Sequence, residues 1–144
     1  MEHFDTILWL LFGLAGGGLL IKFAKGRAEQ EQINIFGIAL VIAALIYIGF
    51  AVLYGASSTW LMIETVGVLV YGCFYLLSKR SGLHFLALGW LLHPVWDVGL
   101  HLVGAGGHFA PEWYAVMCIS FDLVVAVYLF LKSALFKGAG RNQV

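Results

Sequence analysis

The chain of 144 residues is 62% hydrophobic and only 11% charged, whereas about a quarter of the residues in soluble domains are charged. This composition excludes a soluble globular fold. Eight Lys and Arg residues balance eight Asp and Glu residues, so no basic surface is available for phosphates and we expect no nucleic-acid partner. The two cysteines lie inside apolar runs, where single thiols behave as small hydrophobic side chains, so no disulfide framework is predicted.

Five apolar runs follow one another along the chain, each close to the 20 or so residues needed to cross a bilayer. They cover residues 6–24, 33–54, 59–78, 83–104 and 113–136. The breaks between them are short and rich in Gly, Ser and charged residues, which is typical of loops. The sequence therefore predicts an all-α fold: a single transmembrane domain over residues 1–144, built as a five-helix bundle in the cell membrane.

All eight basic residues fall on one side of such a bundle. They follow the first and third runs or end the fifth: Lys22, Lys25, Arg27, Lys79, Arg80, Lys132, Lys137 and Arg141. Because cytoplasmic loops carry an excess of Lys and Arg, this pattern predicts an N-terminus outside and a C-terminus in the cytoplasm. Trp9, Trp60 and Trp113 then fall near the outer interface, as in an aromatic belt.

The first two runs have no acidic, basic or histidine side chain in their middle, and we interpret both as packing scaffold. The first contains Gly13 and Gly17, a pair whose spacing allows two helices to approach closely, either within the chain or between copies. The pair is thus compatible with a homo-oligomer. No internal repeat is visible among the five runs, which disfavours a transporter built from inverted repeats.

Three carboxylates lie inside the predicted spans: Glu64, Asp97 and Asp122, one in each of the last three runs. A charged group near the bilayer centre costs at least about 2.5–3.5 kcal/mol on insertion scales, so such groups generally face a bundle interior and have a partner. The fourth run adds His93 and His101. Each is four residues from Asp97, which places the three on one helical face. All five groups fall at matching levels in the outer half of the membrane.

Two histidines and up to three carboxylates supply the nitrogen and oxygen ligands of Zn, Mn or Fe(II). We predict a divalent metal site with His93, Asp97 and His101 as ligands. Glu64 and Asp122 are the predicted catalytic groups, each as a ligand or a general base. Asp97 can equally orient the imidazoles without binding the metal. No haem is expected, because every histidine within the spans is on one helix, and no nucleotide, because the chain lacks a glycine-rich phosphate loop.

Aromatic and polar side chains near these groups are the predicted walls of a substrate pocket. They are Trp90, Trp96, Tyr71, Tyr114, Cys118 and, in the loop before the fifth run, His108. The alternative for the two tryptophans is simple packing between helices. Pro94 lies inside the polar face of the fourth run, and its missing N–H predicts a kink there.

The polar residues of the last three runs resemble the signature of a family of small bacterial integral-membrane proteins of unknown function. That signature is a His, Trp-Asp, His stretch on one helix. The matching residues are His93, Trp96, Asp97 and His101, with Glu64 before them and Asp122 after them. The resemblance covers most of the chain and implies a multi-pass membrane protein, without an activity.

The chain also resembles five-helix sterol isomerase-type membrane proteins. In these proteins carboxylates and aromatic rings bind cationic or carbocation-like lipids. The resemblance implies such a role for four residues, through charge stabilisation and cation–π contacts. They are Trp90, Trp96, Glu64 and Asp122.

Our leading hypothesis is a metal-dependent membrane enzyme that acts on a lipid-like substrate, with membrane lipid as the expected partner. The alternatives are a proton- or metal-ion-coupled carrier and a structural or partner-binding subunit. A carrier requires polar groups that continue toward the cytoplasm, whereas an enzyme requires a closed inner half. Few polar residues lie on the cytoplasmic side of His93 and Asp122: Tyr71, Cys73, Tyr75 and His84. This favours the enzyme.

Overall fold

The computed structural model describes residues 3–141, with side chains described for residues 3–135. The protein is all-α, with five long helices: α1 His3–Ala24, α2 Glu29–Leu53, α3 Ser58–Ser81, α4 Leu83–Asp97 and α5 Glu112–Arg141. A π-helical segment, Val98–Leu102, continues α4, and a 3-10 helix, Ala105–His108, lies in the loop before α5. Residues 1, 2 and 142–144 of the predicted domain, and the side chains of Phe136, Lys137 and Arg141, lie outside the described residues.

Five helical segments are long and apolar enough to cross a membrane. They are His3–Ala24, Glu29–Leu53, Ser58–Ser81, Leu83–Leu102 and Glu112–Leu135. Large apolar side chains on all five are exposed on the outside of the bundle, among them Leu19, Ile42, Leu69, Val95 and Leu131. Extensive exposed apolar surface marks contact with a membrane or a partner. Length, composition and exposure together indicate a multi-pass membrane protein.

The bundle is organised around α4. This helix packs against α5, α3 and α2, while α3 also packs against α2 and α5 also packs against α1. α1 makes few contacts with α2. The packing order is therefore α1, α5, α4, α3, α2, and a loosely packed cleft lies between α1 and α2.

α1 lies close against α5 because its glycines face that helix. Gly13 and Gly17 are buried, and a Cβ atom on Gly17 would overlap the side chain of Val124. A Cβ atom on Gly13 would overlap the α5 backbone. Across the same contact the hydroxyl of Ser120 donates a 2.7 Å hydrogen bond to the carbonyl oxygen of Leu10. The glycine pair thus serves packing within the chain.

One end of the bundle, which we call the basic end, carries the basic side chains that are described. α1 and α3 end there, and α2 and α4 begin there. Lys132 of α5 donates a hydrogen bond to Gln32 at the start of α2. Tyr75 of α3 donates a hydrogen bond to Asn34, and the Lys79 ammonium lies 4.7 Å from the centre of the Tyr75 ring. We call the opposite end the loop end.

The first prediction concerns the contact of α1 with α5. Gly17→Val is expected to lower the free energy of unfolding by about 1–3 kcal/mol, the usual range for overpacking, because the added side chain meets Val124 and the α5 backbone. Gly18→Val is the matched control, since nothing lies within 4 Å of a Cβ atom built at Gly18. Thermal unfolding of both variants in one detergent measures the difference. Equal midpoints would contradict the packing role of Gly17.

Candidate metal centre

The helical geometry changes within the fourth predicted span. Pro94 cannot donate a backbone hydrogen bond, and one turn later, at Val98, the α-helix gives way to the π-helical segment. There the N–H of Val103 bonds to the carbonyl of Val98, five residues earlier. The three ligands predicted on this span, His93, Asp97 and His101, are all buried.

Four side chains of α4 and α5 converge in the interior and form what we call the α4–α5 cluster: His93, Asp97, Cys118 and Asp122. All four are buried, and one potential ligand atom from each lies within 4.8 Å of the others. His93 Nδ1 lies 2.8 Å from Asp122 Oδ2 and 3.3 Å from Asp97 Oδ2. The cluster thus brings together two predicted ligands, one predicted catalytic carboxylate and one predicted pocket residue.

Much of the hydrogen-bonding capacity of this cluster is unused within the described chain. His93 Nε2, both carboxylate oxygens of Asp97, and Asp122 Oδ1 are buried without a hydrogen-bond partner. Buried polar atoms in proteins are nearly always paired, and an isolated buried charge is strongly unfavourable. The group of buried ligand-type side chains could therefore hold a metal ion.

A second polar group, which we call the upper pair, consists of Glu64 of α3 and His101 of the π-helical segment. It lies nearer to the loop end, outside the α4–α5 cluster. His101 Nε2 is 3.4 Å from Glu64 Oε1, an ion-pair distance without hydrogen-bond geometry. Both side chains are buried, and neither nitrogen of His101 has a hydrogen-bond partner among the described residues.

Tyr47 of α2 lies between the α4–α5 cluster and the upper pair, and sequence reasoning missed it. Its ring stacks on the imidazole of His101, with ring centroids 4.2 Å apart and an interplanar angle of 8°. The same ring lies 6.3 Å from that of His93, and its hydroxyl is near Asp97. The available signal was a tyrosine in the middle of an apolar run, since tyrosines in membrane helices concentrate at the interfaces.

Three of the predicted pocket residues line one cavity. This cavity, of about 300 Å³, has walls from α1, α2, α4 and α5, and Trp90, Tyr114 and Cys118 lie along it together with Asp122. The indole N–H of Trp90 donates a 3.2 Å hydrogen bond to a backbone carbonyl of α2. Trp90 therefore packs between helices and also forms part of the cavity wall. Its role in a substrate pocket stays a prediction.

The other three predicted pocket residues lie elsewhere. Tyr71 is buried edge-on against His93, with ring centroids 4.9 Å apart. Trp96 packs on α3 over a glycine, outside the cavity. His108 is exposed at the loop end and contacts the rings of Trp60 and Phe109.

The upper pair is covered at the loop end by two aromatic rings. The ring of Phe109 lies 5.5 Å from that of His101, and the ring of Trp60 lies 6.4 Å from it. Phe109 is buried, whereas His108 lies beyond these two rings. Two aromatic rings thus cover the upper pair at the loop end.

The bundle interior is apolar between the α4–α5 cluster and the basic end. Fully buried side chains of α2, α4 and α5 fill this region, among them Phe36, Leu40, Leu86, Val125 and Leu129. Within residues 3–135, buried acidic and histidine side chains are confined to the cluster and the upper pair. A hydrocarbon-like barrier thus separates both groups from the basic end.

Residues 9–135 match the model of a family of unknown function, DUF6010. The chain belongs to the DUF6010 family. The matched range includes the α4–α5 cluster, the upper pair and Tyr47. No curated protein and no solved structure matches the chain. Membership in a family of unknown function is therefore confirmed, whereas the resemblance to sterol isomerase-type proteins stays a prediction.

The second prediction concerns Tyr47. Tyr47→Ala is expected to lower the free energy of unfolding by about 3–5 kcal/mol, as is usual for loss of a large buried ring, because the ring contacts His101 and Tyr114. Tyr47→Phe keeps the stacked ring and removes a hydroxyl without a hydrogen-bond partner, so we expect little change. Denaturant unfolding in mixed micelles compares the two variants. Equal losses would contradict a packing role for the ring.

Proposed function

We propose that the protein is a metal-dependent membrane enzyme that acts on a lipid-like substrate and uses the α4–α5 cluster as its metal centre. The observation that carries the proposal is the convergence of four buried ligand-type side chains whose free atoms have no partner in the chain. A polar network that only held helices together would be expected to pair its own groups.

The donor set suits a divalent transition metal. Imidazole nitrogen, thiolate sulfur and carboxylate oxygen are all zinc ligands, with bonds of roughly 2.0–2.3 Å that place neighbouring ligand atoms about 3.5 Å apart. The present separations of up to 4.8 Å require a modest inward movement of the side chains. The cysteine favours Zn or Fe over Mn, because thiolate is a soft ligand and Mn prefers oxygen.

Each residue of the cluster has a distinct task in this proposal. A bound metal ion supplies Lewis-acid activation of a water molecule or of a substrate oxygen. His93, Asp97, Cys118 and Asp122 would hold the ion, with His93 binding through Nδ1, the nitrogen that faces Asp97 and Asp122. Glu64 is then the remaining buried carboxylate and the proposed general base.

The apolar core toward the basic end favours the enzyme hypothesis over the carrier hypothesis. A proton- or metal-ion-coupled carrier requires a polar route through the whole bilayer. The described core between the cluster and the basic end consists of apolar side chains, which favours chemistry at a closed site. A structural or partner-binding subunit remains the alternative that a metal-free protein would support.

The third prediction tests the metal centre. Purified protein is expected to contain a stoichiometric divalent metal ion, and His93→Ala, Asp97→Asn and Cys118→Ser are each expected to weaken metal binding by more than the 10–100-fold typical of losing an outer-shell partner. Elemental analysis of detergent-purified protein gives the metal content, and circular dichroism confirms that each variant is helical. Metal-free wild type that remains folded would contradict the proposal.

Matched controls are available for these variants. His84→Ala removes a histidine near the start of the same helix, and Cys73→Ser removes an exposed thiol; both are expected to retain the metal. His101→Ala distinguishes the four-residue cluster from the ligand set predicted from sequence. Retained metal in this variant supports the cluster, and lost metal would restore His101 as a ligand.

We also propose that the basic end faces the cytoplasm and that the N-terminus lies outside the cell membrane. The proposal is supported by the positive-inside rule and by the location of all described Lys and Arg side chains at one end of the bundle. As a fourth prediction, a reporter active only in the cytoplasm is expected to be active when fused to the C-terminus and inactive when fused to the N-terminus. The opposite pattern would overturn the orientation.

A further inference from the structure

We infer that the substrate is a lipid with a single hydrocarbon chain and a neutral, oxygen-bearing head group, which reaches the α4–α5 cluster sideways from the bilayer through the cleft between α1 and α2. The inference rests on the proposed function for the chemistry at the cluster. Its own basis is a different part of the molecule, the wall and opening of the 300 Å³ cavity.

The walls of the cavity have the composition of a hydrocarbon-chain site. Leu20 of α1, Ile42 and Ile46 of α2, and Phe121 of α5 line it with apolar side chains. Ligand pockets typically combine such walls with a few polar groups that fix orientation. A polar substrate would find few hydrogen-bond partners along this wall. A hydrocarbon chain that leaves the bilayer for the cavity, in contrast, exchanges one apolar environment for another and loses almost no apolar contact.

The polar lining residues of the cavity belong to its buried end. Asp122 and Cys118 are buried, and Asp122 Oδ1 has no hydrogen-bond partner. Ile42 at the other end is 51% exposed on the outside of α2. A chain that enters past Ile42 therefore directs its head group to the cluster, which is where the reacting atoms have to lie.

The volume of the cavity selects one chain. A methylene group takes up about as much liquid volume as a water molecule, about 30 Å³. A cavity of about 300 Å³ therefore holds roughly ten chain carbons, and the rest of a longer chain extends through the cleft into the bilayer. We therefore expect one chain of a lipid to occupy the cavity, and a second chain, as in a diacyl phospholipid, would have to stay in the bilayer.

The cleft between α1 and α2 is the proposed route for an apolar molecule because these two helices make few contacts with each other. α1 is held by its glycine face on α5 and makes few contacts with α2. Small side chains of α2, Ala39 and Ala43, border the cavity. At the loop end, Phe109 and Trp60 cover the upper pair. At the basic end, the apolar core separates the cluster from the surface.

The charge of the cluster favours a neutral head group. The two acidic side chains of the cluster, Asp97 and Asp122, formally balance the charge of one divalent ion. In a buried site of low dielectric constant, an anionic head group such as a phosphate or a free carboxylate would therefore lack a counter-charge. An alcohol or an ester brings the oxygen atom that the proposed chemistry needs without adding negative charge.

A photo-crosslinking experiment tests the inference. Purified full-length protein in lipid nanodiscs is exposed to a diazirine-bearing hexadecanol, and labelled residues are located by mass spectrometry. Labels are expected on cavity residues that are not exposed on the outer surface, such as Ile46, Met117 and Cys118. A phosphatidylcholine with the same diazirine in one chain serves as the two-chain probe, and we expect it to label the lipid-facing surface without labelling the cavity.

Two variants separate the cavity from the outer surface. Ala39→Trp fills the cavity and is expected to abolish its labelling by the alcohol probe. Ile38→Trp is the matched control, because Ile38 is the neighbouring, exposed residue and does not line the cavity; it is expected to keep the labelling. Ile46→Trp blocks the same wall from another position if Ala39→Trp does not fold.

The outcomes distinguish this inference from the proposed function. Cavity labelling by the two-chain probe, or labelling that persists in both cavity-filling variants, overturns the single-chain inference. The metal content of the same samples is measured in parallel. Bound metal without cavity labelling overturns the inference and leaves the proposed function standing, whereas labelling of metal-free protein overturns the metal centre and supports the lipid cavity.

Discussion

The contact between His93 and Asp122 joins two fully buried ionisable side chains at 2.8 Å, in a bundle whose outside faces hydrocarbon. Charged groups in such a setting are excluded from the lipid-facing surface, so α4 and α5 have to turn these residues inward and toward each other. The central position of α4 follows from this requirement, because its polar side chains need neighbours on several sides. α3 supplies Glu64, α2 supplies Tyr47, and α5 supplies Asp122.

The arrangement of the other helices is consistent with the same constraint. α1 has no buried acidic, basic or histidine side chain among those described, and it packs at the edge of the bundle through its glycines. The loop end is closed over His101 by aromatic rings, and the basic end is separated from the cluster by apolar packing. The polar interior is thus enclosed along the bundle axis and approached most closely from the side.

Sequence alone predicted those features that depend on composition over about twenty residues. A bilayer requires long apolar helices, so the five spans could be identified without any knowledge of their contacts. The charged residues Glu64, Asp97 and Asp122 were identifiable for the same reason, since each is unfavourable in a lipid-facing helix. All three are buried, and two of them belong to one cluster.

Features that depend on local backbone geometry or on pairing between helices were not predictable. The sequence predicted one helix over residues 83–104 with a kink at Pro94, and the change to π-helix at Val98 was not part of that prediction. Cys118 is four residues before Asp122 and shares its face of α5, whereas its approach to the α4 residues depends on the packing of α5 on α4. Tyr47 was interpreted as scaffold because the second run contains no charged group in its middle.

The π-helical segment also accommodates one residue more than an α-helical turn would. Adjacent residues of an α-helix differ by about 100° around the axis, so one residue added to a regular α-helix rotates everything beyond it by that angle. A π-helical turn holds close to one residue more than an α-helical one and therefore absorbs the added residue locally. Removing one residue from the segment 98–102 would accordingly restore an α-helical turn and leave the chain beyond it near its present orientation. A change of one residue in chain length is thus better tolerated at these five positions than elsewhere in the same helix.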